Sequence, residues 1–365
     1  MDKKKKRNGF LDFLKFIFAI IIVIGHGDTV YGVLLPDRII PLASFAVEFF
    51  FIASGAMLLR SIEKQSKDKS KNTIGTDTFN FMKHKIKGLL PNYYVAWVVL
   101  FIMMSIGDSF KNIIFSFFKA IPELLLIRMS GMPTQSFNGN TWYISAMLLA
   151  LLIIYPLIRK NKDFFIKYIA PVTVIFGVGF ITHNYHSVLV IEEWTGFVYY
   201  GLIRGIVEIC IGCIAYELST KLKKIKFTKT GKMIFTFVEM FLYIGTITML
   251  FSYGFRHYCF VLLVFLMIAV CITLSDVSYS KNIFSYKIFN WLGEYSYSLY
   301  LGHSIAYSAF IGDYIFSTKF SYSETMIIYF IVSLISGLFI MYLSKLISCI
   351  WNDNKDKVKK IIISN

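Results

Sequence analysis

Charged residues are scarce in this chain. Only 16% of its 365 residues are Asp, Glu, Lys or Arg, whereas soluble domains carry about 25%. Hydrophobic residues make up 56%, which is more than one water-facing core can hide. The composition therefore excludes an ordinary soluble domain. Apolar runs of about 20 residues recur along the chain and indicate membrane-spanning helices.

Cysteine is also rare, and the five cysteines all lie in or beside apolar runs. Cys210 and Cys213 form a C-x-x-C, but it falls within a predicted helical span, without further Cys or His at metal-ligand spacing. We therefore interpret both as small buried hydrophobic residues and expect no metal site.

The apolar runs predict an all-α, polytopic transmembrane helix bundle. The ten predicted spans cover about 10–31, 42–60, 88–107, 142–159, 164–183, 197–218, 232–252, 256–275, 291–314 and 325–349. Segment 109–128 is apolar too, but it carries Lys111, Lys119 and Pro122, so we expect it to be interfacial or re-entrant. We expect residues 1–350 to form one transmembrane domain and residues 351–365 to form a basic cytoplasmic tail.

The net charge of +16 is distributed unevenly. With both termini placed in the cytoplasm, the segments on that side hold 30 Lys and Arg residues and the outer segments hold 6. This bias follows the positive-inside rule. The positive charge therefore indicates orientation in a bilayer, and we expect no binding to nucleic acid.

Ionisable residues within spans are costly in hydrocarbon and are candidates for function. Lys15 and His26 are eleven residues apart in the first span, which puts them on one helix face, about 16 Å apart along the axis. Glu48 should lie at the depth of His26 on the next helix. A carboxylate beside an imidazole would fix its tautomer and raise its basicity, as a general base requires.

Simpler roles are open for the same residues. Lys15 could be a snorkelling anchor, His26 could make a packing hydrogen bond, and Glu48 could pair with a lysine or arginine. Arg204 and Glu208 have the i, i+4 spacing of an intrahelical ion pair, although Arg204 could instead bind a phosphate or a hydroxyl-rich acceptor. His303 lies in the middle of the ninth predicted span.

Five motifs follow one another along residues 7–303. They are Lys15 and His26 at a basic-x10-His spacing, A-V-E-F-F-F-I-A-S-G around Glu48, F-M-K-H-K-I-K-G-L-L-P-N-Y-Y, T-W-Y-I-S-A-M-L, and L-G-E-Y-S-Y-S-L-Y-L-G-H ending at His303. With these motifs in this order, the chain resembles integral membrane acyltransferase family 3, bacterial enzymes that O-acylate extracytoplasmic glycans.

The resemblance implies an O-acetyltransferase that takes its acyl group, most often acetyl, from acyl-CoA as a co-substrate, with no bound cofactor. It places the CoA phosphates at the basic segment that enters the third span. His84, Lys85 and Lys87 would meet these phosphates, and the pantetheine arm would pass Lys15.

The resemblance also implies roles on the acceptor side. His26 would act as the general base on an acceptor hydroxyl or would briefly carry the acyl group, and Glu48 would orient it. We expect Arg204, Trp142 and His303 to bind the acceptor.

The implied partners are the lipid bilayer, acyl-CoA and a glycan or lipid-linked sugar, and the implied location is the bacterial cytoplasmic membrane. The sequence leaves open the acceptor's identity and the oligomeric state. Two other classes of protein fit polar residues within spans: a transporter or flippase, and a non-catalytic membrane sensor of the same architecture. Repeated topology would favour a transporter, and no internal repeat is evident in the sequence.

Overall fold

A computed structural model describes the backbone of residues 7–65, 73–185, 191–311 and 320–364, and the side chains of 7–65, 73–183, 191–309 and 320–350. Within these ranges the chain is helical, and its one β-type pairing is an isolated bridge between Trp194 and Tyr199.

The described part of the chain forms fourteen α-helices. In chain order they are α1 (Gly9–Val30), α2 (Val47–Gln65), α3 (Ile74–Met104), α4 (Phe110–Lys119), α5 (Ile121–Leu124), α6 (Trp142–Lys160), α7 (Lys162–Phe164), α8 (Ala170–Tyr185), α9 (Tyr200–Leu222), α10 (Lys229–Leu250), α11 (Cys259–Ser275), α12 (Ser280–Ile283), α13 (Lys287–Ile311) and α14 (Tyr322–Ser364). A π-helical turn, Phe165–Ile169, connects α7 to α8.

Eight helical stretches among the described residues are long and apolar enough to cross a membrane. They are Gly9–Val30, Ala43–Gln65, Ile74–Met104, Gly139–Lys160, Lys162–His183, Lys229–Leu250, Tyr253–Ser275 and Tyr322–Ile350. These stretches confirm the all-α polytopic bundle. The count of ten spans stays a prediction, since it also requires α9 and α13, whose 23 and 25 residues are long enough but carry more polar side chains.

The helix that contains the third predicted span begins well before that span. We expected it at about residue 88, as apolar runs alone suggest, but α3 starts at Ile74, where Thr73 caps it by accepting a hydrogen bond from the Thr76 amide at 3.2 Å. The basic segment 83–87 is therefore helical, so its side chains point in different directions around the helix axis.

Segment 109–128 does not span. It forms α4, which is ten residues long and has no buried residue, and then the short helix α5. Ten residues reach about 15 Å, half the hydrocarbon thickness. Phe110, Phe115 and Phe118 are exposed on α4, as an interfacial helix requires.

Helix α9 lies at the centre of the bundle, packed by α2, α6, α8 and α11. Its closest approach is to α2, where two glycines face the partner backbone. A Cβ at Gly55 would lie 2.1 Å from the Ile209 carbonyl oxygen, and one at Gly212 would lie 2.0 Å from that of Ile52. The two helices can pack this closely only because both positions lack a side chain.

We therefore predict that Gly55→Ala lowers the stability of the detergent-solubilised protein by about 1–3 kcal/mol, the usual cost of overpacking. Gly179→Ala is the matched control, because nothing lies within 4 Å of its Cβ position and alanine favours a helix. The midpoint of thermal unfolding measures both. Equal midpoints for Gly55→Ala and Gly179→Ala would contradict the close crossing of α2 and α9.

Candidate active site

A cavity of about 880 Å³ lies between α1, α2, α3, α6, α13 and α14. One end is formed by the start of α1, the first half of α3 and the C-terminal part of the α14 span; we call it the basic end. The other, inner end is formed by the starts of α2 and α6 and the middle of α13. The cavity therefore runs from one face of the bundle deep into its interior.

Cations dominate the basic end. Its ionisable side chains are Arg7, Lys15, His84, Lys85 and Lys345, with Glu294 as the carboxylate among them. Glu294 accepts a hydrogen bond from Arg7 at 2.7 Å and lies 3.5 Å from the Lys345 ammonium. Asp12 accepts from Lys15 at 2.9 Å. Positive charge remains in excess along the cavity wall, so this end attracts anions.

Three of the four residues predicted to bind the donor meet here, and the fourth does not. Lys15, His84 and Lys85 line the cavity, whereas Lys87 is exposed and lies outside its wall. The reason is the helical conformation of this segment: two residues turn the helix by about 200°, so Lys85 and Lys87 face different sides.

Sequence reasoning missed two cations at the basic end. Arg7 lies eight residues before Lys15 and directly before Asn8, the N-cap of α1, so its place at the start of the first span is the available signal. Lys345 comes from the other end of the chain, and only the packing of α14 against α3 and α13 brings it to the cavity.

The inner end is lined by aromatic rings and hydroxyl groups. Tyr143 and Tyr300 face each other there, with ring centroids 6.0 Å apart. The Tyr300 ring lies 5.7 Å from that of His303. The inner end of the cavity is therefore separated from the histidines by a single tyrosine ring.

His26 and His303 form a pair, with ring centroids 5.0 Å apart and planes tilted by 46°. His26 Nδ1 lies 2.9 Å from the Ile22 carbonyl oxygen. A carbonyl can only accept, so Nδ1 carries the proton and Nε2 keeps its lone pair. His26 is partly exposed, whereas His303 is fully buried. Of the two imidazoles, His26 is the less buried, and its Nε2 keeps a lone pair.

The loop before α6 holds His303 in place. Asn140 Nδ2 lies 2.9 Å from His303 Nε2 and donates to Ser304 Oγ at 2.7 Å. An amide NH2 group can only donate, so His303 Nε2 is the acceptor and is already occupied. The Tyr300 hydroxyl donates to the Asn140 carbonyl. Both side-chain and main-chain contacts of Asn140 therefore fix the face of α13 that carries His303.

Glu123 organises this loop, and sequence reasoning missed it because it lies in a segment taken to be interfacial. It is fully buried. Its carboxylate accepts hydrogen bonds from Trp97 Nε1 (3.1 Å), Ser136 Oγ (2.7 Å), Phe137 N (2.9 Å), Asn138 N (3.0 Å) and Thr141 Oγ1 (3.1 Å). So many donors satisfy a buried carboxylate and set the path of the loop that presents Asn140.

The expected contact between Glu48 and His26 is wrong. Glu48 is fully buried and forms an ion pair with Arg204, while Arg204 Nε lies 3.3 Å from Glu208. The guanidinium is the strongest available partner for a carboxylate in a dry interior. Glu48 therefore joins α2 to α9, and the Ile22 carbonyl, not Glu48, orients His26.

The residues predicted to bind the acceptor are buried side chains. Arg204 is held by Glu48 and Glu208 and lies over the Trp142 ring, 5.3 Å from its centroid. Trp142 is 6% exposed and His303 is 0% exposed. In this structure Arg204 is an internal ion-pair residue and His303 lies beside His26. Acceptor binding by these residues stays a prediction.

The comparison with protein families agrees with this architecture. The model of acyltransferase family 3, described as an acyltransferase domain, matches residues 8–346. The chain belongs to this family and is a multi-pass membrane acyltransferase. No curated protein and no solved structure matches the chain.

We predict that Arg204→Met destabilises the protein by about 3–5 kcal/mol, because it leaves two carboxyl groups buried without their cation. Adding Glu48→Gln and Glu208→Gln to the same protein should restore most of the loss. Thermal unfolding in detergent measures both variants.

The triple variant also distinguishes a structural role of the ion-pair network from a role in acyl transfer. If the ion-pair network only joins α2 to α9, the triple variant, once its stability is restored, keeps acyl transfer activity. An Arg204→Met protein as stable as the wild type would contradict the ion-pair network.

Proposed function

We propose that this membrane acyltransferase moves an acetyl group from cytoplasmic acetyl-CoA to a hydroxyl group of a glycan or lipid-linked sugar on the opposite side of a bacterial cytoplasmic membrane. One observation carries the proposal: a cavity that begins at a cluster of cations and ends one tyrosine ring from a pair of histidines. Donor recognition and acid–base chemistry can then meet inside the bilayer.

The basic end suits the donor's anionic part. CoA carries phosphate groups, and lysine and arginine side chains bind phosphate by charge-assisted hydrogen bonds. Arg7, Lys15, Lys85 and Lys345 come from three different parts of the chain, the start of α1, α3 and α14, and share this end. The positive-inside rule puts the same end in the cytoplasm, where CoA is found.

The body of the cavity suits the donor's long, mostly uncharged arm. Its volume of about 880 Å³ is within the usual range of small-molecule sites, about 300–1,000 Å³. With the phosphates at the basic end, the arm extends between α1, α3 and α13 toward Tyr143 and Tyr300, and the thioester arrives at the inner end.

His26 Nε2 is the group that performs the chemistry. In direct transfer it takes the proton of the acceptor hydroxyl as the oxygen attacks the thioester carbonyl carbon. The carbon–sulfur bond then breaks, and the proton passes from the imidazolium to the departing thiolate, leaving an ester and CoA. In the alternative route Nε2 itself attacks and carries the acetyl group before the acceptor removes it.

We predict that His26→Ala lowers acyl transfer by about 10²–10⁴-fold, the usual contribution of a general base, while the protein still accumulates and folds. His183→Ala is the matched control, because His183 is exposed near the end of α8. Transfer of label from radioactive acetyl-CoA to the glycan and lipid fractions of membranes measures both.

The same assay tests the reaction class. Activity of His26→Ala within about threefold of the wild type would reject His26 as the reacting group. A wild-type protein that transfers no label would point to the transporter or sensor classes instead.

We also predict that Lys85→Gln raises the KM for acetyl-CoA by about tenfold or more, since a hydrogen bond to a charged group contributes about 1.5–3 kcal/mol. Lys87→Gln, two residues away and outside the cavity, should leave that KM unchanged. Equal KM values for the two variants would contradict a donor site at the basic end.

Donor binding can be read without turnover. Cys349 lines the cavity and is exposed, while Cys210, Cys213, Cys259 and Cys271 are buried. Acetyl-CoA should therefore protect the Cys349 thiol from a maleimide in the wild type and in Lys87→Gln, and protect it less in Lys85→Gln.

A further inference from the structure

We infer that the hydroxyl groups of Ser54 and Tyr143 form an oxyanion site, which binds the carbonyl oxygen of the donor's thioester at the inner end of the cavity. The inference rests on the proposed function, because it requires an acyl thioester as the ligand. It gives a role to two residues from motifs that the sequence shows, F-F-x-x-S-G and T-W-Y-I.

The two hydroxyls converge on one atom. Ser54 Oγ donates to Met147 Sδ at 3.2 Å, and the Tyr143 hydroxyl donates to the same sulfur at 3.5 Å. Both residues line the cavity. Ser54 lies on α2 and Tyr143 on α6, so the packing of two separate helices creates the arrangement.

Other cavity hydroxyls are already bound to oxygen acceptors. Tyr297 donates to the Leu89 carbonyl at 3.3 Å, Ser296 to the Gly293 carbonyl at 3.0 Å and Ser348 to the Ser344 carbonyl at 2.8 Å, while Tyr300 donates to the Asn140 carbonyl and Ser344 to Asn92 Oδ1. Ser54 and Tyr143 differ from them because their common acceptor is a thioether. A thioether sulfur is a weak acceptor, so exchanging it for a carbonyl oxygen gains hydrogen-bond strength.

The surroundings favour anion stabilisation by neutral donors. Phe50 and Val47 line the cavity beside Ser54 and Tyr143, and Phe51 packs against the Tyr143 ring with centroids 4.6 Å apart. In such an apolar environment a hydrogen bond to a developing charge is worth more than in water. Packing also holds the tyrosine ring, so the donor is oriented before the reaction begins.

Tyr143 lies at the end of the cavity that is nearer the histidines. Tyr143 lies one ring from Tyr300, Tyr300 one ring from His303, and His303 beside His26, with centroid separations of 6.0, 5.7 and 5.0 Å. A donor whose phosphates lie at the basic end would bring its thioester to Tyr143 last. The carbonyl oxygen would then point to the two hydroxyls, and the carbonyl carbon would face the histidine side.

The electron pairs balance as follows. The acceptor oxygen, losing its proton to His26 Nε2, forms a bond to the carbonyl carbon. The carbonyl π pair moves onto the oxygen that Ser54 and Tyr143 hold. The π bond then re-forms, the carbon–sulfur bond breaks, and sulfur leaves as a thiolate that takes the proton from His26. The two hydroxyls donate hydrogen bonds throughout and transfer no proton.

Tyr143→Phe and Ser54→Ala test the inference, because both remove a hydroxyl and keep most of the packing. We expect each variant to lower kcat by about 10²–10³-fold, the usual loss for one oxyanion donor. The KM for acetyl-CoA should stay within about threefold, because such donors act mainly in the transition state. Tyr155→Phe is the control: Tyr155 lies on the same helix, and its hydroxyl binds Gln65 at 2.6 Å outside the cavity.

A spectroscopic measurement separates contact from support. Hydrogen bonds lower the stretching frequency of a carbonyl, so acetyl-CoA labelled with carbon-13 at the carbonyl should absorb at higher frequency in Tyr143→Phe and Ser54→Ala than in the wild type or Tyr155→Phe. A purely structural role for the hydroxyls would leave this frequency unchanged.

The outcomes distinguish a failure of the proposed function from a failure of the oxyanion site alone. A wild-type protein that neither binds acetyl-CoA nor transfers its acetyl group rejects the proposed function, and the oxyanion site with it. A wild-type protein that transfers acetyl groups, with Tyr143→Phe and Ser54→Ala matching Tyr155→Phe in kcat and carbonyl frequency, rejects the oxyanion site alone. If Tyr143→Phe fails to fold, Ser54→Ala decides the question by the same two readouts.

Discussion

The ion pair between Glu48 and Arg204 is the interaction on which the centre of the bundle depends. Hydrocarbon cannot solvate a charge, so α9 can lie at the core with an arginine only because α2 supplies a carboxylate and Glu208 a second. The same two helices touch at Gly55 and Gly212. This pairing fixes α2 beside α9, and α2 carries Ser54 to the cavity.

The site combines the cations of the basic end with the histidine pair, and the rings of Tyr143 and Tyr300 lie between them. Cations gather at one end of the cavity, where water can still reach them, and need no full set of internal partners. The histidine pair lies beyond Tyr300. Backbone amides of the loop before α6 donate to the Glu123 carboxylate, and Asn140 in the same loop donates to His303 Nε2. These contacts hold His303 beside His26, and the role of His26 Nε2 as the base stays a prediction.

Sequence reasoning succeeded where a rule depends on the helix itself. Hydropathy predicted the polytopic all-α bundle, and an eleven-residue spacing put Lys15 and His26 on the face that meets α13. It failed where the partner lies on another helix. Glu48 and His26 were placed at similar depth, but depth does not specify rotation about the axis, and Glu48 turns toward Arg204. Lys87 is grouped with Lys85 in the prediction because both precede the apolar run that starts at about residue 88, and outside a helix the direction of a side chain is not defined by its spacing.

Scarce charge, apolar runs of membrane length and five motifs in order are enough to predict a bilayer environment, a helical bundle and the resemblance to the family, because each follows from local composition and spacing. Which side chains are partners depends on the tertiary structure. In the tertiary structure the His26 ring lies beside the His303 ring, and Asn140 donates a hydrogen bond to His303 Nε2. Arg204 is buried in an ion pair, and the hydroxyls of Ser54 and Tyr143 both donate to Met147 Sδ. Contacts between helices depend on rotation, tilt and close approach, which are set by the packing of many side chains together and not by any one segment.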